Sequence, residues 1–167
     1  MIRGDFAQAE KFIQRLTLQE RKTLRKICAD IQETEYRFLD AASREMDQCY
    51  SGCRGLCCRN INLDAIITEV DCVYIRTIEP SMREAIDSCL RRETMFPADC
   101  IFLKNGEGPC IFPAASRPKV CLNTFCTDTT PIRREMRLLS SRFGRLSRFM
   151  FFCKMKMFIR SIRRSFC

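Results

Sequence analysis

Cysteine is the residue that most constrains what this chain can fold into. Thirteen of its 167 residues are cysteines, whereas it contains no histidine. Eight of these cysteines form two blocks, which are Cys49, Cys53, Cys57 and Cys58, then Cys100, Cys110, Cys121 and Cys126. Thiolates are the soft ligands that such a chain offers, and four of them can form a tetrahedral zinc site or hold an iron–sulfur cluster. The sequence therefore predicts sulfur-liganded metal at these eight cysteines, either as two sites or as one polynuclear cluster.

Core packing and disulfide bonding account less well for the two cysteine blocks. Buried cysteines can serve as small apolar side chains, but the first block contains Gly52, Gly55 and hydrophilic neighbours, which suit a loop around an ion. A disulfide framework is typical of secreted proteins, whereas residues 1–13 are interrupted by charges and do not resemble a signal peptide. We therefore expect a cytoplasmic protein whose thiols are kept reduced.

The remaining cysteines and one arginine have different expected roles. Cys28, Cys72, Cys89 and Cys153 lie among apolar residues at helical spacing and are predicted to pack in the core, while terminal Cys167 has no predicted role. Arg117, which precedes Pro118, can stabilise thiolates and donate to sulfur beside the metal ligands. An arginine that only fixes a turn before the proline fits the sequence equally well.

A long amphipathic helix is the clearest element of the fold. Thr17 followed by Glu20 predicts a capping box. Apolar residues then recur every three or four positions, which predicts a helix from about Leu18 to about Met46, after a shorter helix around Phe6 to Leu16. We therefore expect a mainly α fold.

The centre of the chain predicts shorter elements. Asn62 can cap a helix that continues through Tyr74, and Pro80 can begin the next one. Cys100 and Cys110 each start a short apolar run, and Asn105-Gly106 between the runs is a strong turn signal. The predicted fold is thus mainly α with a small, irregular, cysteine-rich metal-binding centre that contains a β-hairpin.

The positive charge belongs to the C-terminal end. The whole chain has a net charge of +9. Residues 131–167 alone carry +10, because they hold eleven basic residues and a single acidic one, Glu135. Residues 1–130 are predicted to be a helical body with a cluster core at 49–126, followed by the basic amphipathic helical tail at 131–167. A nearly neutral body gives no general electrostatic reason to bind nucleic acid, and no specific binding of this kind is expected.

The apolar positions of the tail follow one helical face, which is the sequence's second distinctive pattern. These positions are Ile132, Met136, Leu139, Phe143, Leu146, Met150, Cys153 and Met157. Such a face can pack on the N-terminal helices, form an interface with a protein partner or a second copy, or dock peripherally on an anionic membrane. Packing on the body is the preferred interpretation, and the other two stay open.

The cysteine pattern resembles a known family. The residues that carry the resemblance are Cys49-x3-Cys53-x3-Cys57-Cys58, Cys100-Ile-Phe-Leu, Cys110-Ile-Phe, Arg117-Pro118-x2-Cys121 and Phe125-Cys126. This arrangement resembles the CxxCxxCC cysteine-cluster family. Its domains are described as chelating zinc or iron, and its members include flagellin lysine N-methylases. The resemblance implies a metal at the eight cysteines, although the first block here has three residues between successive cysteines where the family motif has two.

Binding of a metal is favoured over catalysis as the function. Without histidine there can be no Ser-His-Asp or Cys-His arrangement, and no G-x-G-x-x-G turn for a nucleoside occurs. We therefore expect a protein that holds zinc or iron, the latter as an ion or an iron–sulfur cluster, for chelation, delivery or electron transfer. The alternatives are a cluster-dependent protein-modifying enzyme, such as the methylase that the family implies, and an adaptor that has a structural metal site and docks through its tail.

Acidic residues close to the first block are a further, weaker set of candidates. Asp64, Glu69 and Asp71 could supply an oxygen ligand or a base. Solvated positions on a helix are the preferred interpretation of all three.

Overall fold

The computed structural model describes residues 2–43, 58, 62–92, 100–104, 109–123 and 129–165. These residues form seven α-helices, which are α1 (Ile2–Arg15), α2 (Leu18–Ala41), α3 (Leu63–Ile66), α4 (Glu69–Ile78), α5 (Arg83–Arg91), α6 (Lys119–Asn123) and α7 (Arg133–Ser165). Short 3-10 turns occupy Pro80–Met82, Ala114–Ser116 and Thr130–Ile132. The predicted mainly α class is confirmed.

The capping box at the start of α2 is confirmed in detail. Glu20 Oε2 accepts hydrogen bonds from the backbone N–H of Thr17 at 3.0 Å and from its hydroxyl at 2.9 Å, while Thr17 Oγ1 accepts from the N–H of Glu20 at 3.3 Å. The observed helix begins at Leu18 as predicted, but it ends at Ala41, with Ala42 as its C-cap, short of the predicted end near Met46. The shorter first helix also exists, although it begins at Ile2 rather than near Phe6.

The helix predicted from Asn62 through Tyr74 is in fact two helices. Asn62 makes no side-chain capping bond, and Ile67 has extended backbone angles that end α3 after one turn. Thr68 then caps α4 through a second capping box with Asp71. The sequence prediction was wrong here because a threonine followed three residues later by an acid starts a new helix, even within a continuous apolar pattern.

Helix α7 packs antiparallel against α2, and this is the most extensive contact between the described elements. Asp30 in the middle of α2 forms ion pairs with Arg142 at 3.1 Å and with Arg145 at 3.4 Å, whereas Glu20 near its start lies close to Lys156 and Arg160. The buried residues of α7 are those of the predicted stripe, namely Leu139, Phe143, Leu146, Met150 and Cys153, with Ile132 just before the helix. Helix α1 packs on α4, and α4 in turn packs on α2 and α7.

The predicted hairpin is reduced to one antiparallel bridge in the part of the chain that the structure describes. Leu103 pairs with Cys110, and the bridge is flanked by bonds from Ile111 N–H to the Phe102 carbonyl at 2.8 Å and from Lys104 N–H to the Pro109 carbonyl at 3.1 Å. None of the described residues forms a regular strand. Residues 105–108, which contain the predicted turn, lie outside the described residues.

Candidate functional site

Four of the eight predicted ligands lie in the described part of the chain, and backbone contacts bring two of them together. The N–H of Cys100 donates to the carbonyl of Cys58 at 2.9 Å. Cys110 forms the antiparallel bridge with Leu103. Cys121 lies in α6, and its N–H donates to the Pro118 carbonyl at 2.9 Å. Both cysteine blocks therefore contribute to one region of the fold.

The four thiols are close enough to influence one another's protonation. Burial raises the pKa of Cys100 to about 12, and the neighbouring Cys110 and Cys58 add to the rise. Burial likewise raises the pKa of Cys121, with further contributions from Cys110, Cys100 and Cys58. Cys100 and Cys121 are therefore neutral near pH 7, and a bound cation would supply the charge that favours their thiolate forms.

Arg117 lies beside this group of thiols. Burial raises the pKa of Cys110, and the positive charge of Arg117 opposes that rise. The same charge lowers the pKa of Cys121 against the larger effect of burial. The position suits the predicted role of Arg117 beside metal ligands, and that role stays a prediction.

The segment that carries Arg117 is fixed by a buried serine. Ser116 Oγ donates to Glu79 Oε1 at 2.6 Å, at the end of α4, and accepts from Gln32 Nε2 of α2 at 3.1 Å. Two helices of the body thus hold the residue that precedes Arg117. This arrangement fixes the backbone immediately before Arg117.

The other four predicted ligands, Cys49, Cys53, Cys57 and Cys126, lie outside the described residues. Among the residues that the structure describes, no three cysteine, histidine, aspartate or glutamate side chains form a group that could hold one metal ion. The described thiols thus share a neighbourhood without forming a closed coordination site by themselves.

Cys89 is a neighbour of this group, although the sequence pattern favoured core packing over metal ligation for it. It is buried near the end of α5, and its proximity raises the pKa of both Cys100 and Cys110. Arg92, which follows α5, donates from Nη1 to the Leu103 carbonyl at 3.4 Å and so ties this helix end to the bridge. The short sequence separation between Cys89 and Cys100 is the signal that could have predicted this proximity. The other cysteines predicted to pack, Cys28, Cys72 and Cys153, are buried as expected.

Asp71 has a structural position rather than the solvated one that we expected. Its buried carboxylate accepts from the Thr68 N–H at 3.0 Å, the Thr68 hydroxyl at 2.6 Å and the Lys119 N–H at 2.8 Å. Asp71 therefore joins the start of α4 to the start of α6, the helix that carries Cys121. Glu69 forms an ion pair with Lys154 of α7, and the side chain of Asp64 lies outside the described part of the structure.

An open cleft of about 470 Å³ lies between α4, α6 and α7. Its lining is largely apolar, with Val70, Val120 and Phe143, and its polar groups include Asn123 and Ser140. The Asp71 carboxylate at its edge is occupied by the bonds to Thr68 and Lys119 described above. The described lining therefore provides space without an evident general base.

Comparisons with known proteins found no relative. No family model matches the sequence, and no curated protein and no solved structure matches it. The resemblance to the CxxCxxCC cysteine-cluster family therefore rests on its motif alone and stays a prediction. None of the described helices combines the length and the hydropathy of a membrane-spanning segment.

Proposed function

We propose that this protein binds zinc or iron through its clustered cysteines, the iron either as an ion or as an iron–sulfur cluster. The supporting observation is the meeting of Cys58 from the first block with Cys100, Cys110 and Cys121 from the second. These residues come from separate segments, yet Cys58 and Cys100 share a backbone hydrogen bond and the thiols perturb one another's pKa values. Apolar packing alone does not require four thiols and an arginine to lie in one region of the fold.

The chemistry of the donors fits such an ion. Sulfur is the ligand that zinc and iron–sulfur clusters accept in fully cysteinyl sites. In this proposal Cys49, Cys53, Cys57 and Cys126 complete the coordination, and the predicted hairpin between Cys100 and Cys110 forms part of the irregular centre. Arg117, which lies beside the ligands, offsets the negative charge of the bound thiolates.

Chelation, delivery or electron transfer is the role we assign to this centre. A reducing compartment keeps thiols available for metal, so the proposal includes a cytoplasmic location. A protein-modifying enzyme would also need a general base beside its substrate, and the lining of the described cleft offers no evident one. If a titration with S-adenosylmethionine gave binding, the methylase alternative would be favoured instead.

Metal analysis of anaerobically purified protein is the direct test. We expect close to one or more equivalents of zinc or iron per chain. Brown protein with visible charge-transfer absorption would identify an iron–sulfur cluster, whereas colourless protein with zinc would identify a zinc site. Less than about half an equivalent of either metal after reconstitution would contradict the proposal.

A matched pair of variants locates the metal. Cys110→Ala together with Cys121→Ala should lose most of the bound metal, because both thiols belong to the proposed ligand set. Cys153→Ala removes a buried thiol of α7 that lies apart from the group and should retain the full metal content. Equal metal content in all three proteins would place the metal elsewhere.

A further inference from the structure

The C-terminal part of α7 exposes large apolar side chains to solvent. We define the C-terminal apolar stripe by six residues, which are Phe151, Phe152, Met155, Phe158, Ile159 and Ile162. The three phenylalanines are 60%, 62% and 60% exposed, and the rings of Phe151 and Phe152 contact each other edge to face with centroids 5.8 Å apart. Single exposed apolar residues are common on proteins, whereas a contiguous patch of this kind usually marks an interaction surface.

The stripe forms one face of the helix. With 3.6 residues per turn, its six positions fall within an arc of roughly 120°. That arc lies opposite the face on which Leu146, Met150 and Cys153 are buried against the body. Helix α7 is therefore apolar on two opposite faces, and packing on the body accounts for only one of them.

The stripe also continues beyond the part of α7 that the body covers. Residues 158–162 are all exposed, and Lys156 and Arg160 are already level with Glu20 near the beginning of α2. Because α2 begins at Leu18, α7 extends past the end of its partner helix at this point. The apolar side chains at 158, 159 and 162 contribute to a surface, not to the core of the described fold.

Positive charge surrounds the stripe. Lys154 lies on one side of it and Lys156 and Arg160 on the other, and all three are exposed. No acidic residue occurs in residues 136–167. Lys154 pairs with Glu69, and Glu20 faces Lys156 and Arg160 from α2, so the body offsets part of this charge. Arg148 at the start of the stripe is exposed as well.

We propose that this surface docks on a membrane that contains anionic lipid, with α7 lying in the plane of the interface. An amphipathic helix that carries aromatic and aliphatic side chains between lysines and arginines is the type that inserts into the headgroup region while its cations meet lipid phosphates. A second copy of the chain is a poorer occupant, because pairing two stripes would bring their flanking cations together. The inference depends on α7 alone and does not require the metal centre.

A tryptophan probe tests the proposal in the full-length protein. The chain contains no tryptophan, so Phe158→Trp introduces a single tryptophan, whose emission can be excited selectively, into the stripe. Vesicles of phosphatidylcholine with about 30% phosphatidylglycerol should shift its emission to shorter wavelength, and the effect should weaken as salt is added. Leu138→Trp is the matched control, since Leu138 is a 40% exposed apolar residue of the same helix outside the stripe.

Sedimentation with vesicles measures the affinity. The wild-type protein should bind the anionic vesicles at least roughly tenfold more tightly than vesicles of phosphatidylcholine alone. Phe151→Ser with Phe158→Ser should weaken this binding by at least roughly tenfold, while Leu138→Ser should leave it unchanged. Circular dichroism of the variants checks that α7 is retained, which exposed positions should permit.

Three results would overturn the proposal. The first is no binding of the wild-type protein to anionic vesicles. The second is binding that the double serine variant retains in full. The third is a dimer or a complex with an acidic protein that depends on the stripe while vesicles are not bound, which would assign the surface to a protein partner.

Discussion

Glu35 is a carboxylic acid in the middle of the helical core. It is fully buried, and its Oε2 accepts a hydrogen bond from the Tyr74 hydroxyl at 2.7 Å, whereas Oε1 has no hydrogen-bond partner among the described residues. Burial raises the pKa of Glu35 to about 9, Tyr74 opposes the rise and the nearby Asp71 adds to it. The side chain is therefore protonated near pH 7.

This raised pKa predicts a stability that falls as the pH increases. The unfolded chain releases the Glu35 proton near the ordinary glutamate pKa of 4.5, whereas the folded chain keeps it to about 9. The folded state thus binds more protons throughout this window, and stability is lost on the order of a few kcal/mol between those limits. Glu35→Gln should remove the dependence and stabilise the protein at pH 8.

Urea unfolding at several pH values measures this effect. Metal binding also depends on pH, so the quantity to compare is the difference between the wild type and each variant at each pH. Glu33→Gln alters an exposed residue of the same helix that pairs with Arg37, and should follow the wild type. Parallel curves for the wild type and Glu35→Gln would show that the buried acid does not titrate as described.

Asp71 provides a second prediction for a single residue. Its carboxylate caps α4 through Thr68 and also accepts from the first N–H of α6. Asp71→Ala should reduce the free energy of unfolding by about 2–3 kcal/mol, because it removes a capping box and leaves a helix-end donor unsatisfied. Thr68→Ala removes the cap alone and should cost about 1 kcal/mol.

Chemical unfolding of the two variants separates the contributions. Glu84→Ala, at an exposed position in the first turn of α5, is the control and should change stability by less than about 0.5 kcal/mol. Equal losses for Asp71→Ala and Thr68→Ala would mean that the bond to Lys119 contributes nothing. In that case Asp71 would not fix the position of α6.

At the level of elements, the packing of α7 on α2 supplies a large share of the core. Leu146 is fully buried in this contact, whereas Leu138 on the same helix is 40% exposed. Leu146→Ala should lower the free energy of unfolding by about 2–5 kcal/mol, since it leaves a cavity between the helices. Leu138→Ala should cost less than about 1 kcal/mol.

Thermal or denaturant unfolding of these two leucine variants gives the comparison. Similar small losses in both would indicate that α7 contributes little to the folded body.

The periodicity of the tail predicted which residues are buried, because one helical face must pack to offset the entropy of ordering the chain. The choice of α2 as the partner depends on the shape and charge of both helices, and periodicity carries no information about it.

Local signals differed in how well they predicted the ends of helices. Thr17 and Glu20 form the expected capping box because the motif stands at the edge of an apolar pattern. Thr68 and Asp71 form the same motif inside such a pattern, where the apolar spacing continues across the break. The extended backbone at Ile67 shows that the motif, and not the apolar spacing, decides where the new helix begins.

At the scale of the whole molecule, metal binding should be linked to the stability of the fold. The proposed ligands connect α6, the bridge region and the segment around Cys58, so an ion bound only by the folded chain stabilises it by mass action. A strong chelator should therefore lower the melting temperature of the wild type by several degrees. The Cys110→Ala and Cys121→Ala double variant should melt at the same temperature with or without chelator.

Calorimetry or circular dichroism with and without chelator measures this linkage. Cys153→Ala serves as the control, and its chelator-dependent shift should match that of the wild type. A wild-type melting temperature that chelator leaves unchanged, in protein shown to be metal-free afterwards, would argue that the metal does not stabilise the fold.

The sequence by itself determined the helical class, the start of α2, the buried face of α7 and the candidate ligands, because each of these follows from spacing along the chain. Tertiary structure decided what spacing does not encode. It places Cys58 and Cys89 close to Cys100. It also lets the Asp71 carboxylate connect the start of α4 to the start of α6. Among the described residues it also leaves the C-terminal apolar stripe of α7 exposed, because α7 extends past the end of its partner helix α2.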